Sequence, residues 1–533
     1  EKSQSKISKN KYCQKWNSNE KRKLAFVLLY IAAYLFSFVT QPAAQAIFTS
    51  ACKKSAMDNF CDENPGCSDK LNSTYAVDYE NAGFCVGTVT PYKQKKNCED
   101  YGGIWSAEVK PEALFVPTFQ MKWNQVDDLS YYCSNAIYIF FLVTIGSCID
   151  LQENRLKWFL SIGAGVEFIC CAMIYSYDVK TGDLVYLFIN YIILSIAQKL
   201  MFVFVTMLLA LNTMNDDLLL KLVSNPSVQL KHVEEEKDTT VQSQMSRGIV
   251  AGNILVFMSL FLSQIISNSL KDSIISAEFI VLITSASIIL FANCLGIFYM
   301  SHNLVSQNGN NDNNLQIPID NNIEAASCTS QACFGCIRFK DTCKLLLCSS
   351  KLKQFQYYTF VYALFETGRK FYSQMAVYLF SVEWRMDVNS MFFAIFVISL
   401  ASTFGALLIF FISRINKLTK FTRIVISVIL TMFSAILVHF VPHNKVFVFL
   451  LCIIFGLGNG IFDIESNVLL IHLLPSFHIG SLISISMVIQ TMMQLFLPPI
   501  VNFCYNTYNN YSTATLFILP MYLLGLVIFQ CYD

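Results

Sequence analysis

Blocks of about 20 consecutive apolar residues recur along this chain, each bounded by polar clusters, and a helix of that length spans the hydrocarbon of a bilayer. The first half supplies Leu24–Phe48, Leu129–Ser147, Trp158–Tyr177, Leu184–Leu211, Gly248–Ser267 and Phe279–Met300. The second supplies Phe355–Phe380, Met391–Ser413, Ile424–Val441, Val446–His472, Ile479–Phe503 and Thr513–Gln530. All twelve are expected to be helical, because hydrocarbon offers no partner to an exposed backbone N–H or C=O.

Composition turns the pattern into a class. Of 533 residues, 54% are hydrophobic and 14% charged, where a soluble domain has about 25% charged. A soluble fold of this length has no interior large enough for that apolar surface, so lipid is the solvent for much of it. The net charge of +1 excludes a large basic nucleic-acid footprint. The expectation is an all-α polytopic membrane protein of two six-helix halves, with both termini cytosolic. Its parts are a basic tail (1–23), a first bundle (24–300), a cytosolic linker (301–354) and a second bundle (355–533).

Charge sets the orientation. The tail carries Lys2, Lys6, Lys9, Lys11, Lys15, Lys21, Arg22 and Lys23, and the apolar run behind it is too long for a signal-peptide core. A cytosolic tail puts Arg155, Lys157, Arg414, Lys417, Lys420 and Arg423 on the same side, while the facing short loops carry single lysines (Lys180, Lys271, Lys445). The same topology exposes two glycosylation sequons, at Asn72 and Asn510, on the far side, where that modification occurs.

Three polar segments interrupt the spans. The loop 49–128 holds Cys52, Cys61, Cys67, Cys85 and Cys98, with Cys133 at the edge of the second span; six cysteines beside an oxidising compartment read as a disulfide-stapled cap. Residues 215–246, with the acidic run Glu234 to Glu236, read as a flexible connector. The linker 301–354 carries an Asn-rich stretch and Cys328, Cys333, Cys336, Cys343 and Cys348. The Cys333–Cys336 spacing suits a zinc site, but the second pair lacks it and no His accompanies them. Palmitoylation or plain reduced thiols fit as well.

No catalytic constellation is visible. The chain has no Walker phosphate loop, nothing sets a nucleophile beside a base, and no cofactor motif occurs, so it reads as neither a pump driven by its own ATP hydrolysis nor an enzyme. The six His are scattered, mostly near helix ends.

The informative residues are charges inside the spans, each costing at least about 2.5–3.5 kcal/mol at mid-bilayer unless it faces water or a partner. The first span offers Gln41, Pro42 and Gln45; the fourth Asn190, Tyr191, Gln198 and Lys199. The seventh offers Tyr362, Glu366, Arg369, Lys370 and Gln374; the tenth Asn459, Asp463, Glu465 and Asn467. Glu167 is an outlier in the third.

Polar first, fourth, seventh and tenth helices in a twelve-span chain resemble the major facilitator superfamily, whose two halves enclose a central cavity lined by those helices. The loop after the second span is similar to that family's conformational latch. Gly146 and Asp150 keep its start and Arg155 its distal basic position, while Leu151 and Glu153 depart from it. Ser246-Arg-Gly248-Ile-Val-Ala-Gly252-Asn253 at the fifth span resembles the vacuolar amino-acid effluxer family associated with autophagy. So do Ser37 to Pro42 in the first span and the tenth span's course from Gly458 to Pro475. The resemblance implies alternating-access transport of a small polar organic solute, amino acids first, in the plasma membrane or the vacuolar and endomembrane system.

Helical geometry sorts the charges. Asn459, Asp463 and Asn467 lie four apart and share a face; Glu465 points away from Asp463. Glu366 stands one turn before Arg369, which suits either a salt bridge that orders the bundle or a transport role. Asp463 is the candidate to take up a proton or a substrate amine, and Lys199 or Arg369 to attract a carboxylate. Gly456, Gly458 and Gly460 suit close helix packing or bending, and Pro498-Pro499 should kink the eleventh helix. The alternative is a non-transporting membrane subunit that binds protein partners through its loops; its mark would be site charges fully paired with one another.

Overall fold

Helices dominate, as lipid demands of backbone amides. The computed structural model describes residues 21–63, 84–86, 104–106, 115–151, 153–177, 182–213, 229–269, 277–307, 353–379, 388–415, 418–440, 445–474, 479–500, 503, 513 and 515–530. Helix α1 covers 21–63, followed by α2 (Trp123–Leu151), α3 (Glu153–Tyr175), α4 (Leu184–Thr213), α5 (Gln229–Ser269) and α6 (Ala277–Gln307). Then come α7 (Lys353–Tyr378), α8 (Val388–Ile415), α9 (Lys420–Phe440), α10 (Lys445–Leu473), α11 (Ile479–Gln494) and α12 (Ile518–Gln530). Among the described residues ten helices are long and apolar enough to cross a membrane, with a shorter apolar helix over Thr515–Gln530. Helix α7 is outside the ten, and it carries Glu366 and, one turn later, Arg369 and Lys370.

Two proline breaks shape the interior. In α1 the turn Phe36–Thr40 is π-helical, and the Gln41 N–H reaches back to the Phe36 carbonyl. Pro42 follows and has no N–H to continue the ordinary ladder, so the wider turn takes up the mismatch. In α11 the regular helix stops at Gln494, passes through a turn and resumes over 497–500. Pro498 cannot donate to the Gln494 carbonyl four residues back, which explains the expected kink. The Tyr131 hydroxyl of α2 takes the freed carbonyl at 3.0 Å.

Small residues set the closest approaches. A Cβ on Gly456 or Gly460 of α10 would collide with the Ile398 or Ser402 carbonyl of α8, so these glycines weld two helices together. Gly248 and Gly252 of α5 leave room for aromatic rings of α1: a Cβ would stand 2.6 Å from Tyr30 and 2.8 Å from Tyr34. Helix α2 packs on α11, and α5 on both α8 and α10.

Two expectations are corrected. Residues 229–246 are not a connector; they begin α5. Val241 and Met245, one turn apart, are 1% and 2% exposed, so an apolar stripe pins this stretch to the bundle. The loop after α1 holds two short antiparallel ribbons, Phe84–Val86 with Ile104–Ser106 and Phe115–Val116 with Met121–Lys122, which leave the helical class of the fold unchanged. Cys52 and Cys133 are free thiols rather than parts of a six-cysteine staple. Cys52 is 1% exposed in the helical core, and Cys133 sits inside α2 beyond the loop. Cys61 and Cys85 lie in α1 and the first ribbon. Cys67, Cys98, Asn72, Asn510 and the linker cysteines lie outside the described residues.

Candidate functional site

Charge gathers where α2, α4, α7, α10 and α11 meet. Glu366 and Arg369 of α7 are three residues apart, so their side chains share a face, and Arg369 Nη2 lies 2.7 Å from Glu366 Oε2. The other arm of the guanidinium reaches across to α10, Nη1 donating to Asp463 Oδ1 at 2.5 Å. Phe462 lies beneath the guanidinium at 5.3 Å, and Tyr362 stacks on Phe462 at 5.9 Å with rings within 1° of parallel. One planar cation thus holds two carboxylates, a task for which Arg is better built than Lys. Glu366 is nearly buried at 6%, whereas Arg369 and Asp463 are 21% and 23% accessible, so the triad opens toward one side.

Lys199 of α4 comes from the other half of the sequence and approaches α7 at Lys370, the neighbour of Arg369. Its ammonium donates to Asn135 Oδ1 at 2.7 Å and to Ser134 Oγ at 3.3 Å. It also lies over the rings of Tyr131 and Tyr138, 5.6 Å and 5.9 Å from their centroids. No carboxylate pairs with it among the described residues. Lys370 Nζ on α7 is 3.4 Å from Gln494 Oε1 and lies within electrostatic range of Lys199. Tyr30 and Tyr34, seated against Gly248 and Gly252, lie within range of Asp463.

The remaining candidates divide. Asn190 and Asn467 bond the carbonyls of Tyr186 and Asp463 on their own helices. Gln198 Oε1 and Asn459 Oδ1 are buried without a hydrogen-bond partner. Gln41 is half-buried and Gln45 exposed on α1, and neither bonds the charged cluster. Gly146 packs on α11, where a Cβ would stand 2.8 Å from the Gly480 carbonyl. Asp150 lies in the last turn of α2, and Arg155 lies half-buried in the first turn of α3.

Residues that sequence reasoning passed over complete the site: Tyr131, Ser134, Asn135 and Tyr138 of α2, and Gln494 of α11. The polar run at 131–135 was a usable signal that reads more naturally as the edge of a span. Gln494 just before the Pro498-Pro499 pair was another.

A second cluster stands apart. Glu465 of α10, fully buried, accepts from Gln242 Nε2 of α5 at 3.0 Å and lies 3.2 Å from Arg423 Nε of α9. Asp238 of α5 pairs with Lys420 of α9 at 2.7 Å, with His472 at 3.8 Å. Glu167 is a third case: it is 3% exposed between α3 and α6, and its Oε1 has no hydrogen-bond partner.

An aromatic-walled charge cluster thus lies between helices of this bundle, and the fold has counterparts among solved structures. A bacterial homologue of the iron transporter ferroportin, in the outward-facing state, superposes with a TM-score of 0.56 at 13% identity, over 97% of this chain and 99% of that one. The human organic anion transporter MFSD10 gives 0.56 at 12%, over 96% and 99%. The proton:xylose symporter XylE gives 0.53 at 10%, over 97% and 95%. These likenesses define the class: a membrane protein with the fold of major facilitator superfamily transporters. No curated protein sequence matches the chain. Within that class the chain belongs to the family described as "Vacuole effluxer Atg22 like", whose model matches residues 21–533. Both family and fold are those of transporters and not of enzymes.

Proposed function

We propose that this chain is a secondary transporter that moves a small polar organic solute, an amino acid or similar metabolite, by alternating access. In this reading α1 to α12 each cross the bilayer, both termini are cytosolic, and 301–354 is a cytosolic linker between two six-helix halves. The membrane is the vacuolar or endomembrane system or the plasma membrane. The observation that carries the reading is Lys199 of one half within electrostatic range of Lys370, which adjoins the Arg369–Asp463–Glu366 triad of the other, in a setting walled by Tyr30, Tyr34, Tyr138 and Tyr362. Charges held between two bodies are what a rocking mechanism needs to sense a solute from either side.

Asp463 was the residue expected to take a proton or an amine. Its pairing with Arg369 gives it a competing partner, so a solute or proton must loosen that bridge to engage it. The same pairing is what a non-transporting subunit would show, and it keeps that second reading in play.

Purified protein in liposomes, screened with radiolabelled amino acids and similar organic acids, with and without an imposed pH gradient, tests the reading. Uptake driven by the gradient and lost in Asp463→Asn supports a proton-coupled carrier. Unchanged uptake in that variant removes Asp463 from the mechanism, and no flux of any solute through folded protein would favour the partner-binding subunit.

A further inference from the structure

We propose that Lys199 and Lys370 form an anion subsite, and that it takes the carboxylate of a solute whose net charge is negative. The inference rests on the transporter reading and narrows its substrate class.

The subsite is built by the break in α11. Pro498 frees the Gln494 carbonyl, and the Tyr131 hydroxyl binds it at 3.0 Å, which ties α11 to α2. The Gln494 side chain turns to α7 and accepts from Lys370 at 3.4 Å. The Tyr131 ring lies under Lys199 at 5.6 Å. Two ammonium groups from opposite halves of the chain therefore flank one Tyr131–Gln494 pair.

Lys199 meets neutral acceptors only, while Lys370 hydrogen-bonds a neutral acceptor and lies within electrostatic range of Glu366 one turn before it. Lys199 has Asn135, Ser134 and two tyrosine faces, and Lys370 has a single long bond. The nearby carboxylates, Glu366 and Asp463, are both engaged by Arg369. Three cations (Lys199, Arg369, Lys370) stand against two anions, an excess of one positive charge. Snorkelling does not relieve Lys199. It lies mid-way along a 30-residue helix, about 20 Å from either end at 1.5 Å per residue, well beyond the reach of a lysine. Charge left uncompensated at that depth is the mark of an ion pathway or a ligand counter-ion.

The same geometry disfavours a zwitterion. A solute ammonium needs a carboxylate or an open aromatic face. Arg369 engages both acids, and the faces of Tyr131 and Tyr138 lie toward Lys199. An organic carboxylate without an α-ammonium fits instead, its apolar part against Tyr138 and Tyr362.

The probes are radiolabelled 4-methyl-2-oxopentanoate and leucine, which share a skeleton and a carboxylate and differ in net charge. Binding to the purified full chain is read by scintillation proximity, and flux is read in liposomes. The oxo acid should bind about 10-fold more tightly than leucine, the scale of one charge-assisted hydrogen bond. Lys199→Gln and Lys370→Gln should each remove that preference, and Lys199→Arg should keep most of it. Leucine bound as well as or better than the oxo acid by the wild type would overturn the subsite, and this comparison needs no variant to fold. So would oxo-acid binding indifferent to both glutamine substitutions. Binding of the oxo acid with no flux would uphold the subsite and sink the transporter reading, so the two failures differ.

Discussion

The cluster at Glu465 and the cluster at Lys199 are built from the same kinds of residue and solve opposite problems. Around Glu465 the charges balance: Arg423 faces the carboxylate as an ion pair without a hydrogen bond between Nε and Oε2, Gln242 donates to its other oxygen, and Lys420 neutralises Asp238. Helices α5, α9 and α10 are joined there with little exposed, Glu465 at 0% and Arg423 at 7%. Around Lys199 a positive charge is held by amide, hydroxyl and ring, and the triad beside it stays partly accessible. A closed network holds helices together, and an open one waits for something. Buried charge alone does not distinguish them; the completeness of the pairing does.

The contrast is sharpest under substitution. Glu465→Gln strands the Arg423 guanidinium in a buried position and should cost about 3–5 kcal/mol of stability, read from unfolding in detergent, with solute affinity unchanged. Replacing Glu465 and Arg423 together by Leu should recover most of that loss, since a packed apolar pair removes both desolvation penalties. Lys199→Gln should behave in reverse: about 1 kcal/mol or less in stability, because its acceptors are neutral, with the loss falling on solute binding. Equal stability losses for the two single substitutions would erase the distinction.

How much of this was legible beforehand follows the same line. Apolar blocks mark the spans because the bilayer constrains every backbone amide in the same way. The charges of α7 stand out for a related reason: Glu366, Arg369 and Lys370 interrupt an otherwise largely apolar and aromatic block. Sequence spacing also separated Glu465 from Asp463, and the two side chains do go to different clusters. The start of α5 escaped notice because its first turns are acidic and lysine-containing. What holds it is burial of Val241 and Met245 and pairing of Asp238 and Gln242, which are tertiary facts. The α2 wall and Gln494 escaped for a related reason. Their roles depend on α11 bending toward α2 at Pro498, and no local pattern reports which neighbour a freed carbonyl will find.

Within the second half, α10 supplies both clusters, so its seating on α8 must be fixed. Gly460→Ala places a methyl against the Ser402 carbonyl, a backbone atom that can yield only if α8 moves. The expected cost is about 1–3 kcal/mol, again read from unfolding in detergent. If the alanine variant is as stable as the wild type, α8 and α10 are loosely joined, and the glycines serve bending rather than packing.

The smallest effect probes the hinge between the two ammonium groups. Tyr131→Phe keeps the ring beneath Lys199 and removes only the hydroxyl that caps the Gln494 carbonyl. A single neutral hydrogen bond is worth about 0.5–1.5 kcal/mol, so the loss of stability should fall in that range. Solute affinity should weaken with it, because Gln494 positions Lys370 and loses its anchor to α2. Tyr131→Leu removes the ring as well and separates the contributions: a further drop in affinity beyond the phenylalanine variant belongs to the aromatic face under Lys199. If neither substitution shifts affinity, the break in α11 is a packing feature alone, and the open character of the Lys199 cluster owes nothing to it.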